Sequence, residues 1–314
     1  MAMAIDQTQG GLTYGLFGLG IHGSGTGSVP QQVHDGDTVN VRALGNFAIR
    51  FLGIDTPEVS FTLPGSNQFR SINDPAWETF LTDPFAPGLA PLNLDPGLRA
   101  NLQNRLGPGA STNHARHAES AHRALEQEIQ NDMIARSLTK DDVQFFAAFT
   151  REIVDRYGRL LAWLNISDQS VNRPLDYNMR IIQKGLATPY FIWPNVDPWR
   201  SRTSLIEAAR QPVELRQEAN GPGKLRDARN AVAQARANGD GIFDVTAPLR
   251  IHAFELRFLA QRRAPDRWVI DLGGNDSTLL RPQNYHTIAK IEDRLFIPEE
   301  YIPLFEQAGW QKQP

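Results

Sequence analysis

The sequence contains no cysteine. This absence excludes disulfide scaffolds, zinc sites with cysteine ligands and thiol nucleophiles. The sequence also has no run of about 18 apolar residues, so it predicts no membrane-spanning helix. Basic residues are not in excess, because 32 Lys and Arg stand against 35 Asp and Glu, for a formal net charge of −3. Any nucleic-acid site must therefore be a local basic patch rather than a field over the whole protein.

The amino terminus lacks the features of a signal peptide. It has no positively charged n-region, and glycines interrupt its apolar part. We expect a cytoplasmic protein by default, with export possible if a leader has been removed. The length of 314 residues allows one large domain or two small ones, and the sequence leaves protein partners and oligomeric state open.

Residues 1–32 form a glycine-rich segment that includes a GxGxxG match at Gly18, Gly20 and Gly23. A dinucleotide site would need a strand before this match and a helix after it. More Gly, Ser and Pro follow instead, so we expect a flexible or irregular N-terminal arm.

The rest of the chain predicts an α+β protein. Residues 39–54 indicate strand, turn and strand, and residues 143–155 and 159–167 indicate two further strands. Helices are expected over 113–137, 173–187 and 224–238, the last two ending at Gly185 and Gly239. Residues 59–111 are rich in Pro and Gly and are expected to be a loop-like insertion, and residues 198–222 are expected to be a second insertion. After residue 245 we expect a β-hairpin or meander followed by a short terminal helix. This order suggests a small barrel or curled sheet at the centre.

Two carboxylates are expected at one end of the first hairpin. If the turn is centred near Gly45 and Asn46, Asp37 lies opposite Asp55, and opposed like charges are unfavourable on paired strands. A bound cation would remove that cost, and oxygen donors without His or Cys select Ca²⁺ or Mg²⁺. The alternative is that both residues serve only as turn and capping groups.

The stretch RFLGIDTPE, residues 50–58, carries further polar groups beside Asp55. Pro57 has no N–H and ends strand pairing, which brings Glu58 to the rim, while Thr56 adds an oxygen near the expected ion. Arg50 shares a strand face with Leu52 and Ile54, and a lone arginine on an apolar face indicates a surface strand or an ion pair with Asp or Glu.

Four segments resemble the staphylococcal nuclease-like (thermonuclease) family in the order of its motifs. They are VHDGDTVNVRALGNFAIRFLGIDTPE, DRYGRLLAWL, LDYNMRIIQKGLA and ARNAVAQARANGDGIF, and the resemblance covers roughly residues 33–58 and 113–243. It implies an OB-fold, a five-stranded β-barrel with three helices, over residues 33–243, with insertions at 59–112 and 198–222. The segment 244–314 is then expected to be a β-rich extension packing on or beside the barrel.

The resemblance also implies a calcium-dependent phosphodiesterase that cleaves DNA and RNA with low sequence specificity and leaves 3′-phosphates. Asp37 and Asp55 would be metal ligands, with the carbonyl of Thr56 as a third, although the ligand chemistry alone also allows Mg²⁺ or Mn²⁺. Glu58 would act as the general base, directly or by orienting the attacking water. Arg50 and Arg159 would bind the phosphate, because the guanidinium fork matches phosphate oxygens.

Several further residues are candidate contacts to the substrate. Arg156 and Tyr157 resemble positions that hold a neighbouring phosphate. Tyr190, Phe191 and Trp193 resemble positions that offer rings to a nucleotide, with ordinary core packing as the alternative.

Three histidines on the long helix, His114, His117 and His122, do not have the spacing of a zinc motif, and we expect surface or cap residues there.

A second reading is a non-catalytic module on the same fold that binds nucleic acid or protein. The acidic composition and the long insertion favour it, whereas the presence of all six motif positions, Asp37, Arg50, Asp55, Thr56, Glu58 and Arg159, favours an active nuclease.

Overall fold

A computed structural model describes residues 4–7, 13–15, 17–35, 38–155, 158–168 and 174–314. Three predicted site residues, Asp37, Arg156 and Tyr157, lie outside the described residues. The chain divides into two compact units, of which the first comprises residues 1–51 and 148–162 and the second residues 52–147 and 163–314.

The described residues form nineteen short or medium strands and ten α-helices. The strands are β1 (Ile5–Gln7), β2 (Thr13–Gly15), β3 (Phe17–Leu19), β4 (Ile21–His22), β5 (Gly25–Thr26), β6 (Val33–Asp35), β7 (Thr38–Val39), β8 (Val41–Ala43), β9 (Ile49–Phe51), β10 (Gly53–Asp55), β11 (Ser60–Thr62), β12 (Phe69–Ser71), β13 (Phe145–Val154), β14 (Leu160–Ile166), β15 (Thr188–Ile192), β16 (Trp268–Asp271), β17 (Thr278–Leu279), β18 (Arg294–Ile297) and β19 (Gln311–Lys312). The helices are α1 (Val29–Gln32), α2 (Pro75–Thr82), α3 (Pro96–Arg105), α4 (Ala110–Ala135), α5 (Tyr177–Gln183), α6 (Leu205–Ala208), α7 (Pro212–Asn220), α8 (Lys224–Asn238), α9 (Ala253–Ala260) and α10 (Ile302–Gln307).

The first unit pairs its strands differently from the predicted hairpin. Strand β8 pairs antiparallel with β3, where Gly18 lies opposite Arg42, and β9 pairs in parallel with β14, where Arg50 lies opposite Leu161. The prediction of a hairpin between residues 39–43 and 49–54 is therefore wrong. The expectation of an irregular arm is also wrong for residues 17–26, which contain β3, β4 and β5.

The second unit contains a four-stranded sheet in the order β10, β15, β18, β16. Strand β10 pairs antiparallel with β15, so Asp55 lies opposite Thr188 rather than opposite a carboxylate. Strand β15 pairs in parallel with β18, and β18 pairs antiparallel with β16. The C-terminal segment thus supplies two of the four strands.

The region 59–111 is more ordered than its proline content predicts. It contains β11, β12, α2 and α3, and both helices begin with a proline directly after an aspartate. Proline at the first helical position loses no hydrogen bond and has a suitable φ, so Pro75 and Pro96 start helices here instead of breaking them. Asp74 caps α2 by accepting a hydrogen bond from the N–H of Ala76 at 2.8 Å. The second insertion, 198–222, likewise contains α6 and α7.

Residues 253–260 form helix α9, not the predicted hairpin. Most of its residues are buried, including Phe254, Leu256 and Phe258. Apolar side chains on all sides hide the helical period that an amphipathic helix would show. The strand prediction is confirmed for β16 and the terminal helix prediction for α10.

The insertion and the C-terminal segment share one hydrophobic core. Residues from α2 and α3, such as Trp77 and Leu102, belong to the same buried cluster as Phe254, Leu259 and Val269. Neither segment is an appendage, because each buries the apolar face of the other.

The predicted helices α4, α5 and α8 are confirmed. Gly185 and Gly239 follow the last two with φ of +65° and +73°, the left-handed conformation that favours glycine at a helix end. The sheets formed by the described strands contain two to four strands each, so the five-stranded barrel stays a prediction. In the described part of the chain, every helix is too short or too polar to cross a membrane.

Candidate carboxylate site

The guanidinium of Arg257, on α9, binds Asp55 and Glu58 together. Its Nη1 lies 3.0 Å from Oδ1 of Asp55 and 2.6 Å from Oε1 of Glu58, and its Nη2 lies 2.8 Å from Oδ2 of Asp55. Asp55 is thus held by the two-point geometry that arginine and a carboxylate favour. We call Asp55, Glu58 and Arg257 the carboxylate site.

The carboxylate site is largely withdrawn from water. The side chain of Asp55 is 0% exposed, that of Arg257 18% and that of Glu58 22%. Burial opposes the charge of Arg257, but the attraction of Asp55 and then of Glu58 outweighs it and raises the pKa of Arg257 above its ordinary value. Arg257 is therefore a permanent cation, and Glu58 is the member of the site that solvent reaches most easily.

The local sequence explains where the two carboxylates lie. Strand β10 ends at Asp55, and Pro57 stops the ladder directly after it, as the sequence predicts. Gly53 begins the strand with φ of +75°. A Cβ at Gly53 would lie 2.8 Å from the Trp163 ring, so the strand approaches this ring more closely than another residue would allow.

His114, on α4, fixes the backbone of Glu58. Its Nε2 accepts a hydrogen bond from the N–H of Glu58 at 2.8 Å, which leaves Nδ1 to donate to the carbonyl of Ile251 at 3.1 Å. Burial lowers the pKa of His114 to about 4, so the ring is neutral near pH 7 and its acceptor is available. The prediction of surface positions is wrong for His114 and His117, which are both buried.

A buried polar network holds α9 in place. The backbone N–H of His252 donates to Oε2 of Glu255 at 2.9 Å, which closes a capping box at the start of the helix. Glu255 also accepts from Arg105 of α3 at 2.7 and 3.0 Å and from the hydroxyl of Tyr285 at 2.7 Å. The ring of His252 lies 2.9 Å from Oγ1 of Thr188, the strand partner of Asp55.

The predicted metal ligands are only in part described. Asp37 lies outside the described residues, Asp55 is bound to Arg257, and Thr56 is half-buried between Asp55 and Pro57. The described residues contain no group of three or more His, Asp or Glu side chains placed to hold a metal ion. Oxygens of Asp55 and Glu58 are hard donors, but Arg257 already supplies positive charge to them. The described residues alone therefore do not form a calcium site.

Arg50 and Arg159 lie in the first unit. Arg159 is held by Asp155, whose Oδ1 accepts from its backbone N–H at 3.0 Å and whose Oδ2 lies 2.8 Å from its Nε. Leu161 pairs with Arg50, and Arg159 precedes Leu161 by two residues. Arg159 directly precedes the first residue of β14, so it lies next to the strand that pairs with Arg50.

The three aromatic residues predicted to stack on a nucleotide are packed inside the second unit. Phe191 and Trp193 are 1% and 0% exposed, and Trp193 donates from Nε1 to the carbonyl of Ala208 at 3.1 Å. Tyr190 is half-buried, stacks on Phe254 at 5.3 Å and receives a hydrogen bond from Arg267 at 2.9 Å. These placements favour the alternative of core packing.

The sequence did not identify Arg257, His114 or His252 as site residues. Arg257 is 202 residues from Asp55, and no spacing rule relates positions so far apart. The single signal for Arg257 was a basic residue inside the apolar stretch AFELRFLA, because a charge there needs a buried partner.

The chain is similar to Endonuclease YhcR of Bacillus subtilis (strain 168), with 27% identity over 162 residues. These residues make up 52% of this chain and 10% of YhcR, so the chain spans about a tenth of the length of that relative. No family model matches the chain, and no solved structure matches it. The chain is therefore a distant relative of a protein named as an endonuclease.

Proposed function

We propose that this protein is a nuclease that hydrolyses phosphodiester bonds of DNA, RNA or both. The observation that carries the proposal is the placement of Glu58. Its backbone is fixed by His114, its Oε1 is fixed by Arg257, and its side chain reaches solvent. The similarity to Endonuclease YhcR supports the same function.

In the proposed reaction Glu58 is the general base. It takes a proton from a water molecule or orients it, and the water oxygen forms a bond to phosphorus. The bond from phosphorus to the 5′ oxygen breaks, and this oxygen takes up a proton from solvent water as it leaves. The product then carries a 3′-phosphate.

Arg50 and Arg159 are proposed to bind the phosphate and the charge that develops on it. The guanidinium of Arg159 is already oriented, because Asp155 accepts hydrogen bonds from both its backbone N–H and its Nε. Calcium as the cofactor remains a proposal that rests on the family resemblance.

A cleavage assay tests the proposed function. The full chain is incubated with single-stranded DNA, duplex DNA and RNA, each with Ca²⁺, Mg²⁺, Mn²⁺ or chelator. We expect cleavage that the substitution Glu58→Gln reduces by about two orders of magnitude or more, since a general base contributes roughly 10²–10⁴-fold. Asp83→Asn is the control, because Asp83 is an exposed carboxylate at the end of α2. Cleavage that survives Glu58→Gln unchanged would rule out this assignment.

A second candidate is a nucleic-acid-binding module without turnover. It is favoured by the hydrogen bonds from Arg257 to both oxygens of Asp55, since a catalytic metal would need at least one of them. Binding of the same substrates without cleavage in every metal would establish this candidate and exclude the nuclease.

A further inference from the structure

The carboxylate site brings two acidic side chains to one guanidinium. Three oxygens, two of Asp55 and one of Glu58, lie within 3.0 Å of the nitrogens of Arg257. Asp55 is buried, and a buried carboxylate is stable in its charged form only when it is paired. Arg257 is thus a cation that stabilises the charged form of Asp55 in this structure.

The position of Arg257 is set by the fold and not by a flexible surface contact. Helix α9 is fixed at its start by Glu255, which is bound by Arg105 and Tyr285. The carbonyl of Ile251, just before the helix, is bound by the same His114 that holds the backbone of Glu58. The cation and the carboxylate are therefore positioned by one shared residue.

Arg257 leaves one oxygen of Glu58 available. The hydrogen bond from Nη1 goes to Oε1, and the described residues make no hydrogen bond to Oε2. A carboxylate held at one oxygen has a restricted orientation, while the other oxygen can still accept a proton from water.

We propose that Arg257 is the resident cation of the carboxylate site and a positioning residue for Glu58. Its effect on Glu58 rests on the proposed function, whereas its role as a cation does not. A divalent ion at Asp55 would share or replace the contacts of Arg257, because like charges at one carboxylate repel. Through Arg257, the C-terminal segment therefore lowers the affinity of the carboxylate site for divalent cations. It also stabilises the two carboxylates when no divalent cation is bound.

The test measures stability, so it does not depend on catalysis. Thermal unfolding of the full chain is followed in chelator, in Ca²⁺ and in NaCl of matched ionic strength, for the wild type and for Arg257→Met. We expect Arg257→Met to lower the unfolding midpoint by several degrees in chelator. Calcium should restore a large part of this loss and should shift the wild type much less. Calcium affinity from a direct titration should be roughly tenfold higher or more in the variant, as expected for removing one adjacent charge.

Two further variants make the result specific. Arg263→Met removes an exposed arginine from the residues after α9 and should respond to calcium as the wild type does. The double variant Arg257→Met with Asp55→Asn should lose the additional calcium response, because the carboxylate that binds the ion is gone.

Each outcome decides the proposal. A calcium shift in Arg257→Met no larger than in the wild type would overturn it. If Arg257→Met folds in none of the solutions, the comparison is made with Arg257→Gln, whose amide can still donate a hydrogen bond to a carboxylate but carries no charge. A calcium response of Arg257→Gln equal to that of the wild type would then overturn the proposal. Absence of nuclease activity in the wild type would reject the proposed function and leave this comparison intact.

Discussion

Arg105 and Glu255, 150 residues apart in the sequence, form a two-point ion pair between the insertion and the C-terminal segment. Nη2 of Arg105 lies 2.7 Å from Oε1 and Nη1 lies 3.0 Å from Oε2. Glu255 is buried, and although burial raises its pKa, Arg105 and then His252 lower it to about 2. The pair connects α3 to the helix that carries Arg257.

Arg105→Met should destabilise the protein strongly. It leaves the buried carboxylate of Glu255 without its cation, and breaking a buried pair in this way costs about 3–5 kcal/mol. Urea denaturation measures the change in the free energy of unfolding. Arg99 is an exposed arginine on the same helix as Arg105, and its guanidinium lies over the ring of Phe85. Arg99→Met should lower the free energy of unfolding by about 1 kcal/mol or less. Equal losses in the free energy of unfolding would show that the ion pair of Arg105 with Glu255 contributes no more to stability than the exposed side chain of Arg99.

The stability of the protein should fall as the pH drops from about 6.5 to about 4. Burial lowers the pKa of His114 and of His252 to about 4, whereas a histidine in the unfolded chain titrates near pH 6.5. In that window the unfolded chain binds more protons than the folded one, so each histidine contributes a slope of up to about 1.4 kcal/mol per pH unit. The stabilisation that comes from keeping these two histidines neutral is fully present above about pH 6.5 and is lost as the pH falls toward about 4.

The substitution His114→Gln tests the origin of that slope. Glutamine does not titrate, and its amide oxygen can still accept from the N–H of Glu58. Urea denaturation between pH 4.5 and 7 should therefore give a smaller slope in this variant than in the wild type. His122→Gln, at an exposed position on the same helix, should leave the slope unchanged. A wild-type slope in His114→Gln would contradict the assignment.

Much of the secondary structure could be predicted, because local signals decide it. Helix α4 is rich in strong helix formers, and Gly185 and Gly239 end their helices as predicted. The failures have physical reasons that a short window does not contain. Prolines that looked like breakers start α2 and α3, and α9 is buried on nearly every side, so its period is hidden.

The site could be predicted only where its residues are adjacent in sequence. Asp55 ends the strand and Pro57 stops the ladder directly after it, which brings Glu58 to the rim beside Asp55. This much follows from RFLGIDTPE alone. Their partners His114 and Arg257 come from a helix after the first insertion and from the C-terminal segment. Tertiary packing, and not spacing, brings them to Glu58.

Gly53→Ala should destabilise the second unit by about 2–5 kcal/mol. The left-handed backbone costs about 1–2 kcal/mol for a residue with a Cβ, and overpacking against Trp163 adds about 1–3 kcal/mol. Gly65→Ala is a matched control, since its φ of +74° is nearly the same but no atom lies within 4 Å of the added Cβ. Urea denaturation should show the larger loss at Gly53, and equal losses would mean that the contact with Trp163 relaxes without cost.

Asp155→Asn should reduce cleavage if Arg159 binds the phosphate. Asp155 holds Arg159 through its backbone N–H, its Nε and its Nη2, the last at 2.7 Å. Arg159→Ala should lower kcat by about 10²–10³-fold, the loss typical of one donor that stabilises transition-state charge. Asp155→Asn keeps the arginine and weakens only its orientation, so we expect a smaller loss, roughly tenfold, in the same cleavage assay. Asp141→Asn is the control, because Asp141 is an exposed carboxylate between α4 and β13 and should leave kcat unchanged. A loss in Asp155→Asn as large as that in Arg159→Ala would assign Asp155 a direct role at the phosphate, and no loss in either variant would remove Arg159 from the reaction.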